Sequence, residues 1–273
     1  MICAALTVGC GVDLKVERAS PARSTTLQHT DANGVSTWAI VPDSYDASKA
    51  SPWIIYNHGF GQTVNSITAN PPQSSFVQSL AAAGYVVIAS EYRNLACWGD
   101  MECAEDVANL QILWRSLLNL TPQPYVIGES MGGIVTWNAI SLDKVKPLAV
   151  VGIYPVCSLA NMYANAVFVP TIQSAYGFDS PEGYSTATAG FDPLLTTAHT
   201  FAGFPILIWA SYSDQTVSRL KNEDPFSAAI NAAGGSVTLR TSHGDHGDPS
   251  NLDAPAVISF FSSIRGREAD KPI

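Results

Sequence analysis

The stretch PYVIGESMGGIVTWNAIS, residues 124–141, decides the fold. Pro124-Tyr-Val-Ile-Gly128 is a short apolar run, the pattern of a buried strand, and the residues from Met131 to Leu142 continue as a helix. Gly128-Glu129-Ser130-Met131-Gly132 joins the two. A serine on so sharp a strand-to-helix turn sits in a strained conformation, and its flanking positions must lack side chains. The turn lifts the hydroxyl above the sheet edge, over the start of the following helix. There the helix dipole and the Met131 N–H favour negative charge, and Gly132-Gly133 permits close helix–sheet packing.

Outward from this turn, apolar runs alternate with helical patterns. Residues 22–30 and 35–41 are rich in strand formers and flank Asp31-Ala-Asn-Gly34, whose Asn-Gly supplies the positive φ angles of a tight hairpin. Trp53–Asn57 and Tyr85–Ala89 read as buried strands, and residues 73–83 as a helix stopped by Gly84. Residues 104–118 predict an amphipathic helix burying Val107, Leu110, Ile112, Leu113, Leu117 and Leu118. Strands at 148–154, 205–210 and 236–241 and helices near 223–233 and 253–264 complete the series. The alternation predicts an α/β fold: a mostly parallel sheet with helices on both faces, in one domain over residues 22–273. Residues 158–204 break it. They are apolar, aromatic and short of charge, and a long irregular stretch between two buried strands is usually functional.

The chain has 273 residues, 47% hydrophobic and 14% charged, with a net charge of −9. This is a globular composition. Lys and Arg form no cluster, which argues against nucleic acid and against a polybasic membrane contact; a neutral or apolar substrate is expected. No apolar run reaches the roughly 18 residues of a transmembrane segment. The five cysteines include no CxxC pair and lie at no metal-ligand spacing from histidine, so no metal site is expected. Cys97 and Cys103 flank Trp-Gly-Asp-Met-Glu, where a small disulfide loop and two independent thiols are both open. Residues 1–21 read as an N-terminal tail. Its small, apolar start lacks a basic region and looks like the remnant of a signal peptide. Together with the low lysine content and the disulfide reading of Cys97 and Cys103, this favours a secreted or cell-envelope location.

In a parallel sheet, functional side chains gather at the carboxyl ends of the strands. After residues 53–57 comes His58-Gly59-Phe60-Gly61-Gln62. Its glycines free the backbone to turn N–H groups inward, so the Phe60 N–H, ahead of that of Gly61, is the candidate to join Met131 in binding an oxyanion. His58 precedes the serine in sequence and is expected to be structural. After residues 205–210 comes Ser211-Tyr-Ser-Asp214, and after the last strand Ser242-His243-Gly-Asp-His246-Gly. A serine hydroxyl needs a neighbouring base, and the base needs a carboxylate to fix its tautomer. Ser130, Asp214 and His246 meet that need in the order this triad takes on α/β sheets. The glycine after His246 and its distance before the last helix favour it over His243. His29 and His199 are expected at the surface or in structural roles, and Asp245, Asp248 and Asp253 as loop caps.

These residues resemble the α/β-hydrolase superfamily, in particular its serine esterase and lipase-like members, over nearly the whole chain. Gly128-Glu-Ser130-Met-Gly-Gly133, His58-Gly-Phe-Gly61, Asp214 with Val217, and His246-Gly carry the resemblance. Glu91-Tyr-Arg93-Asn94 looks like the D-x-R-G loop of many members, with Glu for Asp and Asn for Gly, and receives no catalytic role. The resemblance implies an eight-stranded, mostly parallel sheet and cleavage of carboxylic esters, small or polymeric, without a cofactor. Ser130 would be the nucleophile, His246 the base, Asp214 its orienting acid, and Met131 and Phe60 the oxyanion hole. It also places residues 158–204 where members insert a cap. Such a cap would build an acyl pocket from Phe168 and Phe178, with Gly61 beside it; alternatively these side chains only seal the sheet edge. Two other functions stay open: the same triad acting on amides, peptides or acyl transfer, and a non-enzymatic binding protein of this fold. The second has no need of Ser, Asp and His at three strand ends.

Overall fold

The computed structural model describes residues 15–17, 24–30 and 34–269. Among them nine strands join in one sheet: β1 (Lys15–Glu17), β2 (Ser24–Thr30), β3 (Ser36–Pro42), β4 (Trp53–Asn57), β5 (Val86–Ser90), β6 (Tyr125–Glu129), β7 (Ala149–Ile153), β8 (Pro205–Ala210) and β9 (Ser236–Thr241). Their order is β1-β2-β3-β5-β4-β6-β7-β8-β9. β2 and β3 make the expected hairpin, pairing antiparallel from Ser24–Pro42 to Thr30–Ser36; turn residues 31–33 lie outside the described residues. β3 meets β5 antiparallel, and every pairing from β5 through β9 is parallel. Strands β2–β9 are the eight expected. The short β1, within the segment read as a tail, pairs with β2 and adds a ninth at the edge. The rest of the presumed signal remnant lies outside the described residues.

Successive side chains of a strand point to opposite faces, so a strand covered on both faces is apolar throughout. In β4, Trp53 and Ile55 enter one core with Leu110, Ile134 and Phe226; Ile54 and Tyr56 enter the other with Ile67, Phe76 and Phe261. The first face is covered by α3 (Met101–Leu117), α4 (Met131–Ser141) and α8 (Glu223–Ala232). The second is covered by α1 (Val64–Ala69), α2 (Gln73–Ala82) and α9 (Ala254–Ala269).

Two details depart from the expectation. Helix α3 buries Cys103, Val107, Leu110 and Trp114, a four-three-four spacing, and leaves Ile112 at 70% exposure. That spacing follows one stripe of a 3.6-residue period, and Ile112 lies off it. Helix α1 was not anticipated. Its signal was a capping box: Thr63 Oγ1 accepts from the Ser66 N–H at 3.2 Å, and Ser66 Oγ accepts from the Thr63 N–H at 2.8 Å.

Residues 158–204 fold as short helices, α5 (Leu159–Tyr163), α6 (Val169–Tyr176) and α7 (Tyr184–Ala187), with intervening 3₁₀ turns. Helices this short carry no legible period, which is why the segment reads as irregular. Asn222, fully buried before α8, ties it to the core. Its Oδ1 accepts from the N–H groups of Cys157 (3.0 Å) and Ser158 (2.9 Å), and its Nδ2 donates to Asn161 Oδ1 at 2.9 Å. A second tie runs through the loop before α3. Cys97 and Cys103 are joined in a disulfide, and the enclosed Trp98 donates from Nε1 to Thr171 of α6 at 2.9 Å. Arg93, from the loop read as D-x-R-G-like, bonds Asp106 of α3 through both Nε and its backbone N–H at 2.9 Å, a structural role. No helix among the described residues is long and apolar enough to cross a membrane.

Asn222→Ala leaves two buried N–H groups without an acceptor, each costing about 1–3 kcal/mol. Urea unfolding is expected to show a loss of about 2–4 kcal/mol, and a loss below about 1 kcal/mol would show that water replaces the amide there. Asp100, which caps α3 by accepting from the Cys103 N–H at 2.8 Å, is raised by burial to about 6. Folding therefore takes up a proton between the ordinary carboxyl range and pH 6, and stability falls as pH rises through that window. Asp100→Asn keeps the cap and is expected to gain on wild type from pH 4 to pH 7. A stability difference constant with pH would refute this.

Candidate active site

Ser130 follows β6 and precedes α4 with φ 53° and ψ −120°, a backbone conformation that costs about 1–3 kcal/mol in a non-glycine residue. Hydrogen bonds hold it there. Its N–H donates to Ile153 O at 3.0 Å, and its carbonyl accepts from Gly133 and Val156, each at 2.8 Å. The glycines around it are steric requirements. A Cβ at Gly128 would lie 2.7 Å from the Gly132 carbonyl oxygen, one at Gly132 would overlap the Asn57 carbonyl, and one at Gly133 would run into Pro155. The loop after β4 also passes close, since a Cβ at Gly59 would stand 3.3 Å from Ser130 Cβ.

Ser130 Oγ lies 2.8 Å from His246 Nε2, and His246 Nδ1 lies 2.7 Å from Asp214 Oδ2. Three loops at the carboxyl ends of β6, β8 and β9 therefore bring serine, carboxylate and imidazole into one chain of hydrogen bonds. Asp214 is buried, and its Oδ1 accepts from the N–H groups of Thr216 and Val217, each at 2.8 Å. These bonds satisfy the carboxylate without a cation and fix its free oxygen toward the ring. The His246 loop is pinned twice: Ser211 Oγ donates to Gly244 O at 2.7 Å, and Asp245 accepts from the His246 N–H (2.7 Å) and the Gln215 N–H (2.8 Å). His243 is exposed, its carbonyl accepting from Ser250 Oγ at 3.1 Å. His199 is also exposed, and His29 is half-buried on β2. His58 is fully buried against Tyr92, and burial pushes its pKa down.

Backbone donors near the serine divide sharply. The Gly59 N–H donates to Gln62 Oε1, the Gly61 N–H to Leu95 O, and the Ser130 N–H to Ile153 O. The Phe60 and Met131 N–H groups donate to no acceptor among the described residues. Gly61 is thereby removed as an oxyanion donor, and it does not line the cleft.

That cleft, of about 220 Å³, opens over Ser130 and His246. Its lining includes apolar side chains, Phe60, Trp98, Val156, Met162 and Phe168, and a hydrogen-bonded polar group of Gln73, Glu129 and Tyr154. Phe60, Trp98 and Phe168 pack mutually, with ring centroids 5.0–5.6 Å apart. Phe168 thus stands where it was expected. Phe178 does not: it is buried against Tyr163 and Tyr184, off the cleft, because α6 ends at Gly177 and turns the chain back into the core. Trp98, Tyr154 and Glu129 were missed. Trp98 lies between the paired cysteines, and Glu129 is the variable position of the glycine–serine motif, but nothing local marks either as part of a cleft. Among the described residues no three metal-ligating side chains cluster.

No protein-family model matches the chain, and no curated protein matches it. Solved structures do. S-formylglutathione hydrolase from Agrobacterium tumefaciens superposes with a TM-score of 0.70 at 15% identity, over 94% of this chain and 99% of that one. Carboxyl esterase 2 from the fungus Tuber melanosporum gives 0.65 at 20% identity, over 91% and 88%. The acylaminoacyl peptidase of Pyrococcus horikoshii gives 0.68 at 16% identity over 92% of this chain, which spans only 41% of the peptidase's length. Together with the strand order and the serine turn, these likenesses establish that the chain has the α/β-hydrolase fold.

Proposed function

We propose that this chain is a serine hydrolase that cleaves carboxylic esters through an acyl-enzyme. The observation that carries the reading is the continuous 2.8 Å and 2.7 Å hydrogen-bond chain Ser130–His246–Asp214, whose first two members line an open cleft. Ser130 Oγ attacks the ester carbonyl carbon as His246 Nε2 takes its proton. Asp214 holds the Nδ1–H and the charge of the imidazolium. The carbonyl oxygen, now negative, receives the free N–H groups of Phe60 and Met131. His246 returns the proton to the leaving alkoxide, the alcohol departs, and water, deprotonated by the same imidazole, releases the acid.

Ester cleavage is the reading we take because Phe60, Trp98 and Phe168 offer an acyl chain an apolar wall in the cleft that holds the serine; esterases and peptidases are both among the structures the chain superposes on. Residues 158–204 serve as a cap in this reading, since Met162 and Phe168 bring an apolar wall to the cleft. The Cys97–Cys103 disulfide supports a secreted or cell-envelope location, because such bonds persist in oxidising compartments.

Ser130→Ala is expected to lower kcat on a 4-nitrophenyl ester by on the order of 10⁶ with the fold intact by circular dichroism. His246→Ala should be comparably inactive, and His243→Ala close to wild type. A Ser130→Ala protein retaining a tenth of wild-type turnover, or a wild type unreactive toward a fluorophosphonate, overturns the reading. A 4-nitroanilide cleaved faster than the matching ester would make it an amidase.

Each acyl methylene buried against Phe60, Trp98 and Phe168 contributes up to about 0.8 kcal/mol, a few-fold in kcat/KM. Activity is therefore expected to rise with chain length from acetyl until the cleft is full. Phe168→Ala should flatten that rise and spare acetyl-ester turnover. Equal rates on acetyl and hexanoyl esters, unchanged in the variant, would place the acyl group elsewhere.

A further inference from the structure

His246 is held by more than Asp214. The first residue after β7, Tyr154, packs its ring against the imidazole in a T-shaped arrangement, with the planes at 63° and the centroids 4.6 Å apart. Its backbone stands at φ 37°, where L side chains are rare, and its N–H donates to Trp209 O at 2.8 Å. The Tyr154 hydroxyl donates to Glu129 Oε1 at 2.5 Å, a length typical of a charge-assisted bond to a carboxylate. Glu129 also accepts from Tyr56 Oη at 2.5 Å and Gln73 Nε2 at 3.1 Å, and it forms no ion pair among the described residues. Its partners among the described residues are all neutral donors, so no countercharge stands beside this carboxyl group, one residue from the serine. Burial and the Glu129 charge both push the Tyr154 phenol up, so it stays protonated and keeps donating.

We propose that Tyr154 and Glu129 form a second arm behind His246, stabilising the imidazolium that forms in the reaction. A cation within about 6 Å of a tyrosine ring is attracted by its π-face. Donation of the phenol proton to a carboxylate pushes electron density into that ring and strengthens the attraction. Asp214 thus secures the Nδ1 edge of the imidazole, and the Tyr154 ring, polarised by Glu129, packs against the imidazole itself. Around His246 stand Asp214 from the loop after β8, bonded to Nδ1; Tyr154 after β7, packed on the ring; Ser130, bonded to Nε2; Glu129 at the end of β6, which shares the cleft and bonds Tyr154; and Asp245 on its own loop. Asp245 is exposed and turns its carboxylate to backbone N–H groups, so it adds little. Tyr154 and Glu129 are positioning residues in this scheme. They touch no reacting atom, and the inference rests on the triad reading of the site.

The test follows the His246 ring by NMR titration, and kcat/KM for 4-nitrophenyl acetate against pH, in wild type, Glu129→Gln, Tyr154→Phe and Tyr154→Leu. Glu129→Gln is isosteric and carries the test if Tyr154→Leu fails to fold. Loss of a cation-stabilising group makes the ring harder to protonate. In Glu129→Gln and Tyr154→Leu the ring midpoint and the acid limb should therefore both move to lower pH, by roughly half a pH unit. Tyr154→Phe keeps the ring, loses the polarising bond, and should move less in the same direction. A fall in kcat with midpoint and limb unmoved would reduce the arm to a structural cross-link and overturn the proposal. A ring midpoint that moves as expected in a protein that hydrolyses no ester would uphold the arm and reject the esterase reading.

Discussion

At Ser130 the backbone leaves the sheet at φ 53° and enters a helix within one residue, held by three backbone hydrogen bonds. That is possible only because Gly128, Gly132 and Gly133 let α4 sit against the ends of β4 and β7. The approach brings the Phe60 loop over the serine, aims the free Met131 N–H beside it, and sets the depth at which β8 and β9 must deliver Asp214 and His246. A substituent on any of these glycines pushes the helix outward and separates the groups together, so the site is a by-product of one packing contact.

The electrostatics follow the same economy. Asp214 and Glu129 are buried carboxyl groups near the serine, and among the described residues neither pairs with a lysine or arginine. Backbone N–H groups satisfy one; two phenols and an amide satisfy the other. A buried cation beside either would neutralise the field that favours charge on the imidazole, and it would add a desolvation penalty of its own. Neutral donors hold the carboxylates in place and leave that field standing.

The strands, and the residues that meet in the Ser130–His246–Asp214 hydrogen-bond chain, were legible in the sequence because their signals are local. Trp53–Asn57 and Pro205–Ala210 are bounded as read, since a strand buried on both faces leaves an unbroken apolar run. The serine turn announces itself by spacing, and the chain order Ser130, Asp214, His246 follows from which strands end nearby. Contacts made across the fold were not legible. Phe168 and Phe178 look alike in sequence, yet only Phe168 reaches the cleft, because Gly177 ends α6 between them. Tyr154 reads as the last residue of a strand, and only the folded chain shows its ring against His246. Ile112 was assigned to a buried stripe because apolar character alone does not distinguish a residue on that stripe from one just beside it.

The aromatic wall of the cleft is assembled from three segments that are remote in the chain: Phe60 beside the serine, Trp98 in the disulfide loop, and Phe168 in the inserted helices. None belongs to the sheet. Under the proposed function, the surface that meets a substrate can therefore drift over generations, by exchange of side chains on loops, while the strands that place Ser130, Asp214 and His246 stay as they are. Its three rings touch one another, however, so a larger residue in one segment calls for a smaller one in another. The Cys97–Cys103 bond fixes the middle member covalently, leaving the outer two as the positions where new substrate preferences are most readily explored.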